Sequence, residues 1–489
     1  MPAPTEPKLT SAWDTLGNQS NGWPQFLSSI NISGLRGWTG EQVEFRYPIV
    51  ALVGSNGSGK STVLKAAASV YKAPNSGQAV TYTADDFFPK TPWEDPIGVE
   101  IKYTIRRGER TDSGSWRKPT KRWRGADERK ERPSFFLDVS RIQPANTQIG
   151  YGAVAQRSIS AGKEDRLSQA EVRLLSRIVG RNYESALLNI HDQKQVGVLE
   201  FNGISYSNFH QGAGEDSILD LVYLINHAPR NSLIIIDELE AALHPRAQRG
   251  LVTELMEIVE KQRLQIIIST HSPYVLDMLP SRARILLSSD RDGDKSIIYG
   301  VTTEFAMGQI GDEEISELDL YCEDEYSELI IDKLIRLADN TIISRVQITP
   351  VGAASVVKSV GAVAAQGKLP RPGLGIVDAD TSPEKGSICL PGTMPPERQL
   401  FSSLTDKHWE TVASRLGVHG GQVLDIRDQV QLLDNHHAWV GRFAELIGGT
   451  TRPLMVWDAI CDVWVKDVVG EASAIEWVEP IIDKLRKAS

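Results

Sequence analysis

Residues Ile49 to Leu64 read IVALVGSNGSGKSTVL. The apolar run Ile49 to Val53 has the form of a short buried strand. It leads directly into Gly54-Ser-Asn-Gly-Ser-Gly59-Lys60-Ser61, which satisfies G-x-x-x-x-G-K-[ST], a phosphate-binding loop. Each position has a chemical reason. Gly54, Gly57 and Gly59 permit backbone turns that a Cβ would forbid, so the amides of Ser55, Asn56 and Ser58 can point at phosphate oxygens. Lys60 reaches the terminal phosphates, and the Ser61 hydroxyl can ligate Mg²⁺. A helix from Thr62 onward presents its positive end to the same anion.

The surrounding chain has 489 residues and 41% hydrophobic and 24% charged residues. This is the composition of a globular protein of several domains. The net charge of -10 argues against a general nucleic-acid coat and leaves room for a local basic surface. No stretch approaches the ~20 apolar residues of a membrane span, and the opening MPAPTEPKLTSAW is unlike a secretory signal. Cys322, Cys389 and Cys461 are odd in number and far apart, which suits a reducing cytoplasm better than a disulfide framework.

Upstream of the loop, Ser29 to Ser33 and Gln42 to Arg46 alternate like paired strands, whereas residues 1–25 read as a flexible N-terminus. Downstream, a basic insertion occupies about 99–142. Val99 to Arg107 and Ser134 to Ile142 read as strands. Between them lie Arg106, Arg107, Arg110, Arg117, Lys118, Lys121, Arg122, Arg124, Arg129, Lys130 and Arg132, with Trp116 and Trp123 interleaved. Cations for phosphate and aromatics for stacking predict a DNA contact across 106–132; a solvated hairpin tip is the alternative. Ser168 to Asn189 has helical spacing but too few heptads for a long coiled coil.

Ser232 to Glu238 (SLIIIDE) is a buried strand ending in two acids, where Asp237 would bind Mg²⁺ and Glu238 would orient the attacking water. Leu264 to Thr270 is a further buried strand, ending at His271. This order of motifs resembles ABC-type ATPase heads of the SMC and recombination-repair kind. The resemblance implies an ATP site with Lys60, Glu238 and His271 as its catalytic groups, His271 contacting the γ-phosphate. It also implies that Gln211 to Asp216, with Gly212, Gly214 and Glu215, is the signature loop that caps ATP held by a second subunit. Gly212 stands where such loops carry serine. ATP-sandwiched homodimers, or higher homo-oligomers, follow from the same resemblance. Leu239-Glu-Ala-Ala-Leu-His-Pro245 resembles the corresponding stretch of OLD (overcoming lysogenisation defect) ATPases.

From Leu318 a new α/β pattern begins: strand ending at Glu323, helix, strand, helix, strand ending at Asp378-Ala-Asp380. It resembles a TOPRIM domain. The resemblance implies that Glu323, Asp378 and Asp380 hold Mg²⁺, or Mn²⁺, for phosphodiester cleavage, with Glu397 a further ligand and Lys385 or Lys466 a basic aid. Asp324 and Ala379 replace the glycines usual beside these acids.

The expected fold is α/β: an ABC-type P-loop ATPase head (26–302) with an antiparallel β lobe and a short helical arm, then a smaller TOPRIM-like domain (318–402) and a helical C-terminal layer (403–489). The expected function is an ATPase of bacterial anti-phage defence that regulates a TOPRIM endonuclease acting on DNA. Two alternatives stand beside it: an ATPase scaffold with an inactive TOPRIM-like domain that controls a separate effector protein, and a DNA repair or recombination ATPase.

Overall fold

The structure, a computed structural model, describes residues 6–19, 21–75, 79–125, 129–142, 163–191, 194–290 and 293–488. The chain forms two compact units, Met1–Glu313 and Glu314–Ser489. No helix among the described residues is long and apolar enough to cross a membrane.

In chain order the strands of the first unit are β1 (Phe26–Leu35), β2 (Trp38–Glu44), β3 (Ile49–Val53), β4 (Glu100–Arg107), β5 (Arg110–Arg117), β6 (Ser134–Leu137), β7 (Lys163–Arg166), β8 (Ser185–His191), β9 (Lys194–Phe201), β10 (Ile204–Ser207), β11 (Leu233–Ile236), β12 (Gln265–Ser269), β13 (Arg284–Ser289) and β14 (Lys295–Tyr299). The central sheet runs β14-β13-β3-β12-β11-β6. All of its pairs are parallel except that of β13 with β14 at one edge. Strands β3, β11 and β12 are buried along their whole length, which is why they read as unbroken Ile/Val/Leu runs rather than alternating ones. Each such side chain contributes about 1.5–3 kcal/mol relative to exposure.

Register fixes the functional edge. Ile236 pairs with Ile268, and Ile268 with Ala51. The carboxyl ends of β3, β12 and β11 therefore lie side by side and deliver Gly54, Thr270 and Asp237 to one rim, where open α/β sheets bind ligands. The helix Lys60–Ala68 packs beneath that rim on β1, β11 and β12. A second, antiparallel sheet runs β2-β1-β4-β5, and a third β10-β9-β8-β7.

Several segments depart from the sequence expectation. Residues Glu6–Leu16 form a helix rather than a flexible tail. Leu9 and Trp23 are fully buried, and Trp23 Nε1 donates to Leu264 O at 2.8 Å. The expected helical arm is half helix and half strand. Helix Gln169–Val179 ends at Gly180, whose left-handed backbone closes it, and β8 follows. Ser134 to Ile142 is strand only to Leu137 and then a 3₁₀ turn, Val139–Ile142. The acidic, polar stretch Glu304 to Glu317, which by composition reads as a linker, begins inside a helix, Thr303–Gly311, capped by Thr302 with Phe305 buried.

The basic insertion is more structural than its composition implies. Arg132 is buried and serves as a bracket. Its guanidinium donates to Asn231 O at 2.7 Å, to Gln265 Oε1 at 2.9 Å and to Tyr71 Oη at 3.3 Å. Lys118 is buried too, with its ammonium over the Trp123 ring. Trp116 is buried and donates to Ser69 O at 3.2 Å, and Arg129 stacks on it. These aromatics pack the lobe and do not offer free stacking faces. Arg110, Lys121, Arg122 and Arg124 remain exposed. Asp127 and Glu128 lie outside the described residues.

The second unit contains β15 (Leu318–Cys322), β16 (Val346–Pro350), β17 (Gly373–Val377) and β18 (Ser387–Cys389). They form one parallel sheet in the order β16-β15-β17-β18. Helix Glu325–Ala338 connects the first pair, and helix Ala354–Ala365 leads back to β17. That second helix sits close because Gly361 leaves room: a Cβ there would lie 2.5 Å from Gly386 O. Residues 403–489 are mainly helical, and Trp409, Trp457 and Trp464 are buried in the unit's core.

Candidate functional site

In the first unit Asn56, Gly57, Gly59, Lys60, Ser61, Thr62, Asp237, Glu238 and His271 line one cavity of about 240 Å³. The motifs that the sequence separates by more than two hundred positions thus meet at the rim of the central sheet. The loop's shape depends on its glycines. Gly54 has φ 153°, and a Cβ would lie 2.0 Å from Leu287 O. Gly59 has φ 104°, and a Cβ would lie 2.7 Å from Trp38 Nε1. Nothing larger than hydrogen fits at either position.

The groups in the cavity are arranged for an anion with a cation beside it. Lys60 Nζ donates to Gly54 O at 2.8 Å and to Ser55 O at 3.0 Å. Burial lowers its pKa, while Asp237, Glu238 and Glu240 pull it back up. Trp38 Nε1 and Ser58 Oγ are buried beside the loop without a hydrogen-bond partner in the protein. Orphaned donors, glycines that cannot carry a Cβ and a buried ammonium together fit a polyphosphate. His271 is half-buried. Burial, and then the Lys60 charge, lower its pKa, while Glu240, Glu238 and Asp237 act in the opposite direction.

Asp237 and Glu238 are held from the neighbouring strand. Ser269, fully buried at the end of β12, donates through its hydroxyl to Asp237 Oδ1 and accepts from the Glu238 amide at 2.8 Å. Glu238 has φ 51°, a left-handed conformation that non-glycine residues seldom adopt and that marks functional positions. Glu240 reaches across to the next loop, where it accepts from Thr270 Oγ1 at 2.7 Å and from the His271 amide. Sequence reading did not single out Ser269, Trp38 or Arg36. Arg36 lines the same cavity while paired with Glu94 at 3.0 Å; the glycines on either side of it were the available signal.

Gly212 is the N-cap of helix Ala213–His227. Among the described residues, Gly212, Gly214 and Glu215 do not line the Lys60 cavity. Gly214 instead abuts the loop after Glu238, where a Cβ would lie 2.4 Å from Ala242 O. Glu215 accepts from Arg181 at 2.8 Å and from Tyr183 Oη at 2.7 Å. The segment around Gly214 is therefore packed against the loop after Glu238 rather than lining the Lys60 cavity.

In the second unit Glu323 follows β15 and Asp378 follows β17, its parallel neighbour. Glu323 Oε1 accepts from the Asp378 amide at 3.2 Å, and Asp378 Oδ1 accepts from Ser327 Oγ at 3.0 Å. Burial, and then the charge of Glu323, push Asp378 up to about 7. Burial raises Glu323 as well, with Asp324 and Asp380 adding to it. Such crowded hard-oxygen donors fit a divalent cation, although the ligating oxygens of Glu323, Asp378 and Asp380 do not all lie within 4.8 Å of one another. Asp324 caps helix Glu325–Ala338 by accepting from Ser327 N at 2.9 Å. Lys466 pairs with Asp462 at 3.2 Å, and Lys385 is exposed.

Comparison with known proteins adds the following. Residues 123–277 match the family described as "AAA domain, putative AbiEii toxin, Type IV TA system", and residues 29–71 match a second family described as "AAA domain". A segment of 85 residues is 39% identical to an OLD nuclease of Thermus scotoductus; it covers 15% of this chain and 16% of that protein. The chain thus aligns with less than a fifth of that relative's length. Among solved structures, the SMC head domain from Thermotoga maritima aligns at 15% identity and a TM-score of 0.34, covering 56% of this chain and 98% of that one. The Smc head domain with an extended coiled coil bound to the C-terminal domain of ScpA, derived from Pyrococcus furiosus, aligns at 13% identity and 0.39, covering 59% and 99%. The family matches span the phosphate loop, Asp237, Glu238 and His271. Both matches fall within the first unit, and both families are described as AAA domains.

Proposed function

We propose that the first unit binds and hydrolyses ATP and that its nucleotide state controls a metal-dependent endonuclease site in the second unit, in the service of anti-phage defence. The observation that carries the ATPase half is the convergence of Asn56, Gly57, Gly59 to Thr62, Asp237, Glu238 and His271 on one cavity. The loop amides and Lys60 hold the β- and γ-phosphates. Ser61 and Asp237 would hold Mg²⁺, which neutralises charge developing on the phosphates. Glu238 orients and deprotonates the attacking water. His271 donates a ring N–H to a γ-phosphate oxygen.

Because Gly212, Gly214 and Glu215 do not line this cavity, they act on ATP held by a second copy, and the active species is a homodimer or a higher homo-oligomer. The nuclease half rests on Glu323 and Asp378 lying at the ends of adjacent parallel strands and on the short match to an OLD nuclease. Glu323, Asp378 and Asp380 would hold Mg²⁺ or Mn²⁺, which activates water and stabilises the leaving oxygen. Arg110, Lys121, Arg122 and Arg124 supply the exposed charge for a DNA backbone.

The test is incubation of the purified protein with plasmid and linear DNA, in Mg²⁺ or Mn²⁺, with and without ATP, beside a Glu323→Ala/Asp378→Ala variant. Cutting that the variant abolishes supports the proposal. Intact DNA together with retained ATPase activity overturns the nuclease half. One observation favours a second reading, an ATPase scaffold that controls a separate effector: the spread of the three carboxylates. In that case DNA is cut, or a toxin released, only when the effector is added.

A further inference from the structure

Glu397, which the TOPRIM resemblance offered as a further ligand beside Glu323, Asp378 and Asp380, is instead grouped in the second unit with two histidines. Helix Pro396–Ser403 carries Glu397 in its first turn, buried at 3% exposure. Opposite it is a 3₁₀ turn, His436–Ala438, fixed by Asn435, whose side chain accepts from His437 N at 3.2 Å. One carboxylate oxygen of Glu397 and one ring nitrogen of each of His436 and His437 all lie within 4.8 Å of one another. Among the described residues this is the group of three or more His, Cys, Asp or Glu side chains that meets that spacing.

An ion pair accounts for half of the cluster. His437 Nδ1 lies 3.0 Å from Glu397 Oε1. It leaves His436 unexplained. The two imidazoles stand 4.0 Å apart between ring centroids, too close for both to be charged comfortably. His436 Nε2 is buried with no hydrogen-bond partner. Buried polar atoms are ordinarily satisfied, and a bound cation would give such a nitrogen a partner.

We propose that Glu397, His436 and His437 form a binding site for a divalent first-row transition ion, zinc by preference, separate from the Glu323–Asp378 site. Two imidazole nitrogens and one carboxylate oxygen are a borderline-soft donor set. It suits Zn²⁺, and Co²⁺ as its spectroscopic stand-in, rather than Mg²⁺ or Ca²⁺. Three protein ligands leave a coordination position open to water, as in hydrolytic zinc sites. The ion would also pin the 436–438 turn to helix Pro396–Ser403. The proposal does not depend on the nuclease reading.

The experiment uses the full-length protein, stripped with a chelator and titrated with Co²⁺ while visible ligand-field absorption is recorded, then back-titrated with Zn²⁺. The expected result is a saturable Co²⁺ spectrum of a four- or five-coordinate nitrogen/oxygen site that Zn²⁺ abolishes and excess Mg²⁺ does not. His436→Ala and His437→Ala each weaken Co²⁺ binding by about a hundredfold or more, with native circular dichroism. These two variants carry the test if Glu397→Gln, at a buried position, fails to fold. Glu323→Gln/Asp378→Asn keeps the spectrum, which separates this site from the proposed nuclease centre. A spectrum unchanged by either histidine variant, or no spectrum in folded wild-type protein, overturns the proposal. So does displacement by Mg²⁺ at concentrations comparable with Zn²⁺.

Discussion

Ser269→Ala tests the catalytic arrangement at a residue that touches no substrate. The hydroxyl holds two neighbours at once, donating to Asp237 and accepting from the Glu238 amide at 2.8 Å. Alanine removes both bonds, and losing this acceptor for the half-buried Glu238 amide costs about 1–3 kcal/mol. It also removes a hydrogen bond to a carboxylate, about 1.5–3 kcal/mol. Because the two losses share one side chain and water can enter partly, a total of about 2–4 kcal/mol is expected. The larger effect is geometric. Glu238 is kept at φ 51° partly by this bond, and relaxation toward an ordinary backbone would move its carboxylate by an ångström or more. A displacement of that size costs up to about a hundredfold in rate. Steady-state ATPase assays should show kcat down by about 10- to 100-fold. The Kd for a fluorescent ATP analogue should rise less, because Lys60 and the loop amides are untouched. Folding is checked by circular dichroism and thermal melting. A folded Ser269→Ala protein with kcat within about twofold of wild type would refute the claim that β12 positions the two acids.

Other outcomes follow from single contacts. Gly214→Ala places a Cβ 2.4 Å from Ala242 O. It should cost about 1–3 kcal/mol by thermal denaturation and slow hydrolysis by shifting the loop after Glu238. Glu238→Gln should retain ATP binding while ATP turnover falls at least about a hundredfold, and native mass spectrometry or light scattering should then show ATP-dependent association. Arg132→Ala should lower the melting temperature, since it strips a buried bracket from Asn231 O and Gln265. A combined Lys121→Ala/Arg122→Ala/Arg124→Ala protein should melt like wild type and lose DNA affinity with a shallower salt dependence, read by fluorescence anisotropy. Trp457→Ala removes a fully buried ring and its bond to Tyr326 O at 2.9 Å. It should destabilise the second unit by about 3–5 kcal/mol, seen as a loss of near-ultraviolet ellipticity.

The sequence by itself determined what is local or repetitive. The loop Gly54 to Ser61 is legible because phosphate binding is performed by consecutive backbone amides, so the needed residue types are adjacent. Strands β3, β11 and β12 are legible because burial on both faces demands unbroken apolar runs. Asp237 and Asp378 are legible because each ends such a run, Glu238 because it follows Asp237, and Glu323 because it ends the alternating strand Leu318–Cys322. Tertiary structure alone decided which residues act through a neighbour. Ser269 is an ordinary strand residue until parallel pairing sets it beside Asp237. Arg132 and Lys118 look like solvent-facing charge until the lobe folds around them, because composition carries no information about which cation is enclosed. Helix Gln169–Val179 stops where Gly180 turns left-handed, although the apolar spacing continues into β8. Glu397 and the pair His436–His437 belong to different helical segments with no shared motif. Only packing brings their ligand atoms within 4.8 Å of one another, since such proximity depends on how distant segments cross and not on the order of residues along the chain.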